Sequence, residues 1–107
     1  LSSAASDVYK RQGFNGKVYI VDGYNANTRT IYEFLGNYFH GHPIQYKAVF
    51  DSINSLTKTT YRYLYETTKA RFQLFHSLGF KVVYVWESDY KKNRFAQRIY
   101  IPGKELV

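Results

Sequence analysis

The sequence predicts an α/β domain in which a mixed central sheet, an antiparallel hairpin plus one further strand, is flanked by a helix. Three observations predict it. Two segments rich in β-branched and aromatic residues, KVYIVD at 17–22 and RTIYEFL at 29–35, are separated by a short turn-rich connector. A stripe with helical spacing occupies 61–78. A strand apolar on both faces, KVVYVWE at 81–87, follows that helix, which indicates layered α/β packing rather than an open sheet.

Taken in order, residues 1–12 (LSSAASDVYKRQ) carry neither strand nor helix periodicity. They read as an extension foreign to the domain or as a flexible terminus, and 13–107 reads as a single domain shortened at its N-terminus. Gly23 stops the first strand, and the Gly- and Asn-rich GYNANTR turns the chain, so the two strands form a hairpin. Gly36 ends the second strand. GNYFHGHP (36–43) reads as an irregular loop, and 44–58, broken by Asp51, Ser52, Asn54 and Ser55, as a long surface excursion. Thr59 or Thr60 caps a helix running from Tyr61 to about Leu78, with Leu64, Thr68, Arg71/Phe72, Phe75 and Leu78 along its stripe. Gly79 suits the C′ position, and Phe80 can pack back on Phe75. Ser88 to Arg94 is polar and basic, Phe95 to Ile101 forms a last short strand, and Pro102 to Val107 is a tail.

A chain of 107 residues supports one modest core, and a hydrophobic fraction of 45% excludes wholesale disorder. The net charge of +7, from 15 Lys+Arg against 8 Asp+Glu, attracts polyanions, nucleic acid above all; a merely soluble basic domain has the same balance. Twelve Tyr and eight Phe supply rings that pack in a core or stack on bases. The absence of Cys excludes disulfides and thiolate zinc sites. No apolar run approaches the roughly 20 residues of a membrane span.

Alternation sets Val18, Ile20 and Asp22 on one face of the first strand and Ile31, Glu33 and Leu35 on one face of the second. Each row thus ends or is interrupted by a carboxylate, which is costly to bury alone. Lys or Arg can pair with such acids, or water can solvate them at strand ends. A divalent metal is the other partner, because Mg²⁺ takes oxygen from one or two carboxylates plus substrate phosphate. His40 follows Glu33 by seven residues, where an imidazole beside the acids can serve as general base. His42 reads rather as a solvated loop residue, and His76 as structural or exposed.

These residues also carry a resemblance. Gly36-Asn37-Tyr38-Phe39-His40-Gly41-His42 resembles the strand-end motif of the very-short-patch repair endonucleases, and LGFKVVYVWES (78–88) resembles the same family's Leu-Gly-Trp…Val-Trp-Glu-Cys segment. DGYNANTRTIYEFLGNYFHGHP is similar to related nuclease-like domains of phages and large DNA viruses, in which a KTTY-like segment leads into the helix. The likeness spans roughly Val18 to Tyr90. It implies a restriction-endonuclease-like fold of the PD-(D/E)XK class, in an intracellular bacterial, phage or viral setting. The implied activity is Mg²⁺- or Mn²⁺-dependent cutting or nicking of double-stranded DNA by a monomer.

By that resemblance Asp22 and Glu33 are the metal-binding acids, the Phe34 carbonyl is a main-chain metal ligand, and His40 activates the attacking water. Tyr38 and Phe39 are the aromatic pair that wedges into the duplex. Asn37 and His42 from the same loop, with Lys58, Lys91, Lys92 and Arg94, complete the expected DNA contacts, and Arg62, Lys69 and Arg71 are further phosphate candidates. Glu87 either joins the metal site or binds a helix Arg, and Trp86 belongs to the core.

Three departures stand out. Leu35 occupies the position of the class's Lys. Asn37 and Ser88 fall near cysteines of the family's structural zinc site, so no structural zinc is expected. The family's N-terminal acid has no counterpart. A catalytically inactive DNA-binding module is therefore the alternative, and an RNA-directed or structure-specific nuclease a third.

Overall fold

The structure, a computed structural model, describes residues 7–9 and 18–107. Strands β1 (Asp7–Tyr9) and β2 (Val18–Ile20) pair antiparallel, with Asp7 opposite Ile20. Strands β3 (Gly23–Asn25) and β4 (Thr30–Leu35) form the hairpin; helix α1 (Asn37–His40), a 3-10 turn at Lys47–Val49 and helix α2 (Tyr61–Ser77) then lead to β5 (Lys81–Trp86). Helix α3 (Glu87–Lys92) and strand β6 (Arg98–Ile99) complete a four-stranded sheet in the order β3-β4-β5-β6. β4 and β5 run parallel, and the outer pairs are antiparallel. This is the mixed α/β sheet flanked by helices that the sequence predicts.

The parallel pair is the spine. Its register sets Ile31, Glu33 and Leu35 beside Val82, Tyr84 and Trp86 on one face. There the apolar members meet Phe72 and Phe75 of α2 in a single core cluster. Each such side chain contributes about 1.5–3 kcal/mol when fully buried. Trp86 is core, as expected, and its indole N–H donates to the Leu106 carbonyl at 2.6 Å. Val83 and Val85 are buried on the opposite face, so β5 is covered on both sides.

α2 begins and ends as its sequence dictates. The Thr60 hydroxyl accepts from the Tyr63 amide at 3.0 Å, filling one of the first turn's orphan donors. At the other end Gly79 takes φ +93°, while the amides of Gly79 and Phe80 donate to the His76 and Phe75 carbonyls. That pattern is a Schellman motif.

Several expectations are corrected. The hairpin arm is Gly23–Asn25, not Lys17–Asp22: the chain bends at Asp22 and pairing with β4 begins only at Gly23. In β2 the core takes Tyr19, whose ring meets Phe75 edge-on at 5.5 Å, while Val18 and Ile20 face outward. The 36–43 segment contains α1, and the 88–94 segment lies mostly in α3, each a helix too short to show periodicity. The last strand shrinks to two residues. Within the 1–12 extension, Asp7–Tyr9 form β1; the rest of that extension lies outside the described residues.

The 44–58 excursion is organised by one residue. Asn54 is fully buried: its amide N donates to the Tyr38 carbonyl, and its Oδ1 accepts from the Leu56 and Thr57 amides. This pins the excursion to α1.

Candidate active site

The bend at Asp22 creates the site. Gly23 opposite Tyr32 is the last pair of the β3–β4 ladder, so beyond it the edge of β4 has lost its backbone partner. The Asp22 carboxylate replaces that partner: its Oδ2 accepts from the Phe34 amide at 2.7 Å. The N–H and C=O of one strand residue leave on the same edge. The Phe34 carbonyl therefore points to the edge that Asp22 occupies. The Phe34 ring goes the other way, edge-on to Tyr90.

Glu33 lies on the core side of the same strand and is 7% exposed. Its Oε2 accepts from the Asp22 amide at 3.3 Å, and its Oε1 accepts from Arg71 Nε of α2 at 2.9 Å. Arg71 reaches on to the Ile20 carbonyl at 2.6 Å. Burial pushes the Glu33 carboxyl up, Arg71 opposes that shift, and the neighbouring Asp22 charge adds to it. The two acids thus meet through the bend and not through alternation. Arg71, expected on phosphate, is instead the cation that holds Glu33.

His40 reaches this edge because α1 packs on α2. Gly41 ends α1 at φ +64°, and a Cβ there would stand 2.1 Å from the Tyr61 carbonyl oxygen. Only glycine permits that approach. The His40 Nδ1 then lies 3.0 Å from the Thr68 hydroxyl oxygen. Thr68 donates its own hydrogen to the Leu64 carbonyl at 2.8 Å, so toward His40 it acts as acceptor. With the Thr68 hydrogen on the Leu64 carbonyl, His40 would carry its proton on Nδ1 and leave Nε2 as the acceptor. Burial and then Arg71 hold its pKa below the ordinary value, with Asp22 opposing, which favours the neutral ring.

A second polar cluster lies behind α1. Asn37 is 4% exposed; its Nδ2 donates to Ser88 Oγ at 2.9 Å and to Gln45 Oε1, and its Oδ1 accepts from the Ser88 amide at 3.2 Å. Its backbone amide donates to Glu87 Oε1. His42 is 8% exposed, packs 4.5 Å from Trp86, and accepts the Ile44 and Gln45 amides at Nδ1. Asn37 and His42, expected on DNA, are thus buried joints between α1 and the start of α3, and His42 is not a solvated loop residue. Asn37 and Ser88 thus hydrogen-bond to one another. Glu87 serves this joint and an ion pair with Lys91 at 3.5 Å, not the acid pair.

The remaining candidates divide by exposure and partner. Phe39 is 54% exposed, whereas Tyr38 is half-buried among Phe39, Tyr46 and Tyr61. Lys58, Lys92 and Arg94 are exposed and have no acidic partner among the described residues. Arg62 pairs with Asp51 and Lys69 with Glu105, which removes both as ready phosphate contacts.

For a hard divalent cation the available donors are the Asp22 and Glu33 carboxylates and the Phe34 carbonyl. Each carboxylate has about four lone-pair sites. Asp22 uses one and Glu33 two; oxygen donors of this kind are those that Mg²⁺ or Mn²⁺ takes, and Arg71 already occupies Glu33 as a competing cation. Among the described residues no group of three or more His, Cys, Asp or Glu side chains converges on one point.

Sequence reasoning missed Thr68 and the true role of Arg71. The signal was present: a hydroxyl and a guanidinium three residues apart on an otherwise apolar stripe both need partners. No family model matches the chain, and no curated protein or solved structure matches it either.

Proposed function

We propose that the protein is a metal-dependent DNA endonuclease that hydrolyses or nicks phosphodiester bonds. One observation carries the reading: the Asp22 carboxylate caps the edge of β4, the Asp22 amide donates to the Glu33 carboxylate, and His40, held through Nδ1 by Thr68, lies near enough for the Asp22 charge to act on it. Asp22, Glu33 and the Phe34 carbonyl would hold Mg²⁺ or Mn²⁺, which when bound supplies Lewis acidity toward a phosphoryl oxygen. His40 Nε2 takes a proton from the attacking water, and Thr68 keeps the ring in the required tautomer. The unpaired Lys58, Lys92 and Arg94, in a chain of net charge +7, favour double-stranded DNA as the polyanion, and exposed Phe39 supplies a ring for insertion between bases.

The test is nicking of supercoiled plasmid with Mg²⁺ or Mn²⁺. Asp22→Ala and His40→Ala are expected to lower the rate roughly 10²–10⁴-fold, the usual scale for a general base. Variants as active as wild type would sink the assignment. A second reading, a catalytically inactive DNA-binding module, is favoured by the Arg71–Glu33 pair and by the apolar, buried Leu35. Salt-dependent DNA binding without cleavage, and calorimetry without Mg²⁺ or Mn²⁺ uptake, would decide for it.

A further inference from the structure

The sheet face turned away from α2 is only partly covered. Phe34 and Val85, paired in register, point to it, and Tyr90 of α3 and the segment 94–97 arch over its end. They enclose a cavity of about 340 Å³ lined by Val85, Tyr90, Arg94, Phe95 and Gln97. Phe95 is 76% exposed, the most exposed large apolar side chain among the described residues. Its backbone is nevertheless fixed: Asn93 Oδ1 accepts the Phe95 amide and the Asn93 carbonyl accepts the Ala96 amide, both at 2.9 Å. The Arg94 guanidinium lies 5.5 Å from the Phe95 ring and has no acidic partner among the described residues. The Gln97 side-chain amide has no hydrogen bond among them either.

A held-out ring, a cation above it and an unused amide at the rim match an unpaired nucleobase: a face to stack, a phosphate to neutralise, an edge to hydrogen-bond. We propose that this cavity receives one unpaired nucleobase of bound DNA, stacked on Phe95 against Tyr90, with its edge on Gln97 and its phosphate on Arg94. The proposal rests on the nucleic-acid part of the functional reading and not on cleavage. Phe34 links the two sites, since its ring meets Tyr90 at 5.6 Å while its amide is bound by Asp22. The basic rim argues against a second copy of this chain as occupant, because that copy also carries +7.

Fluorescence anisotropy would compare one labelled duplex, fully paired or carrying a single extrahelical thymidine, on wild type, Phe95→Ala and Phe95→Trp. Phe95→Ala is expected to weaken binding of the extrahelical duplex about tenfold (~1.4 kcal/mol) and leave the paired duplex unchanged; Phe95→Trp should restore the preference. Equal loss on both duplexes, or no loss, overturns the proposal. So does a wild-type dimer in sedimentation that Phe95→Ala dissolves, which would give this face to a second copy. A preference for the extrahelical base without any nicking would retain the pocket and remove the nuclease reading; nicking with no effect of Phe95→Ala would do the reverse.

Discussion

Two polar clusters flank α1, and they differ in what they leave unused. Behind the helix, buried Asn37 makes three side-chain hydrogen bonds to Gln45 and Ser88, and buried His42 accepts two backbone amides at Nδ1, so most of this cluster's polar groups are tied up inside the fold. In front, Asp22 spends one oxygen on the Phe34 amide and His40 spends only Nδ1, on Thr68. A buried cluster with its bonds made holds the fold and is closed in that sense; an exposed carboxylate with a free oxygen is open to solvent or, on the proposed function, to a metal ion.

The largest effect that separates them is on stability. Asn37→Ala removes three side-chain hydrogen bonds from a buried position, each worth about 0.5–1.5 kcal/mol net, so unfolding in urea should cost about 2–4 kcal/mol less. Asp22→Ala removes one bond at an exposed site and should cost less, about 1 kcal/mol, while on the proposed function it lowers nicking roughly 10²–10⁴-fold. If the two variants lose equal stability, the distinction between closed and open clusters fails.

A smaller effect tests the open cluster from its second layer. Thr68→Val keeps shape but removes the acceptor for the His40 Nδ1 proton. Without that anchor the proton can move to Nε2, and the rate should fall about tenfold (~1.4 kcal/mol). Thr68→Ser should keep most of the activity. A Val variant that loses stability but turns over normally would make Thr68 a packing residue only.

Much of the architecture was legible because it repeats. β4, β5 and α2 carry long, regular patterns, and the caps at Thr60 and Gly79 follow local rules. What was not legible is short or long-range. A three-residue strand has too few positions to fix which face is buried, so the outward turn of Val18 and Ile20 and the bend at Asp22 required the tertiary contacts of Tyr19. The four residues of α1 fold because Asn37 and Gly41 are held from outside. Asp22, Glu33 and His40 could be singled out by residue type. Their partners Arg71 and Thr68 lie 38 and 28 residues further along the chain from Glu33 and His40, a separation that no local pattern encodes.

The smallest expected effect concerns protons, and it divides the clusters once more. His40 and His42 are both held below the ordinary value of 6.5, chiefly by burial. Arg71 reinforces and Asp22 opposes the shift at His40; Asp89 opposes and Arg98 reinforces it at His42. A depressed pKa means that the unfolded chain binds more protons, so the contribution of each histidine is complete above 6.5 and is lost as pH falls through its folded value. Glu33, raised from 4.5, works in the opposite sense: its contribution is complete below 4.5 and is lost as pH rises through its folded value. Urea midpoints should therefore drop on acidification below 6.5, and His40→Gln or His42→Gln should each flatten part of that slope. The nicking rate should respond to His40 alone, with an acid limb below 6.5, because only its free Nε2 must stay unprotonated to accept a proton. An acid limb that persists in His40→Gln and vanishes in His42→Gln would move the general base to the other side of α1.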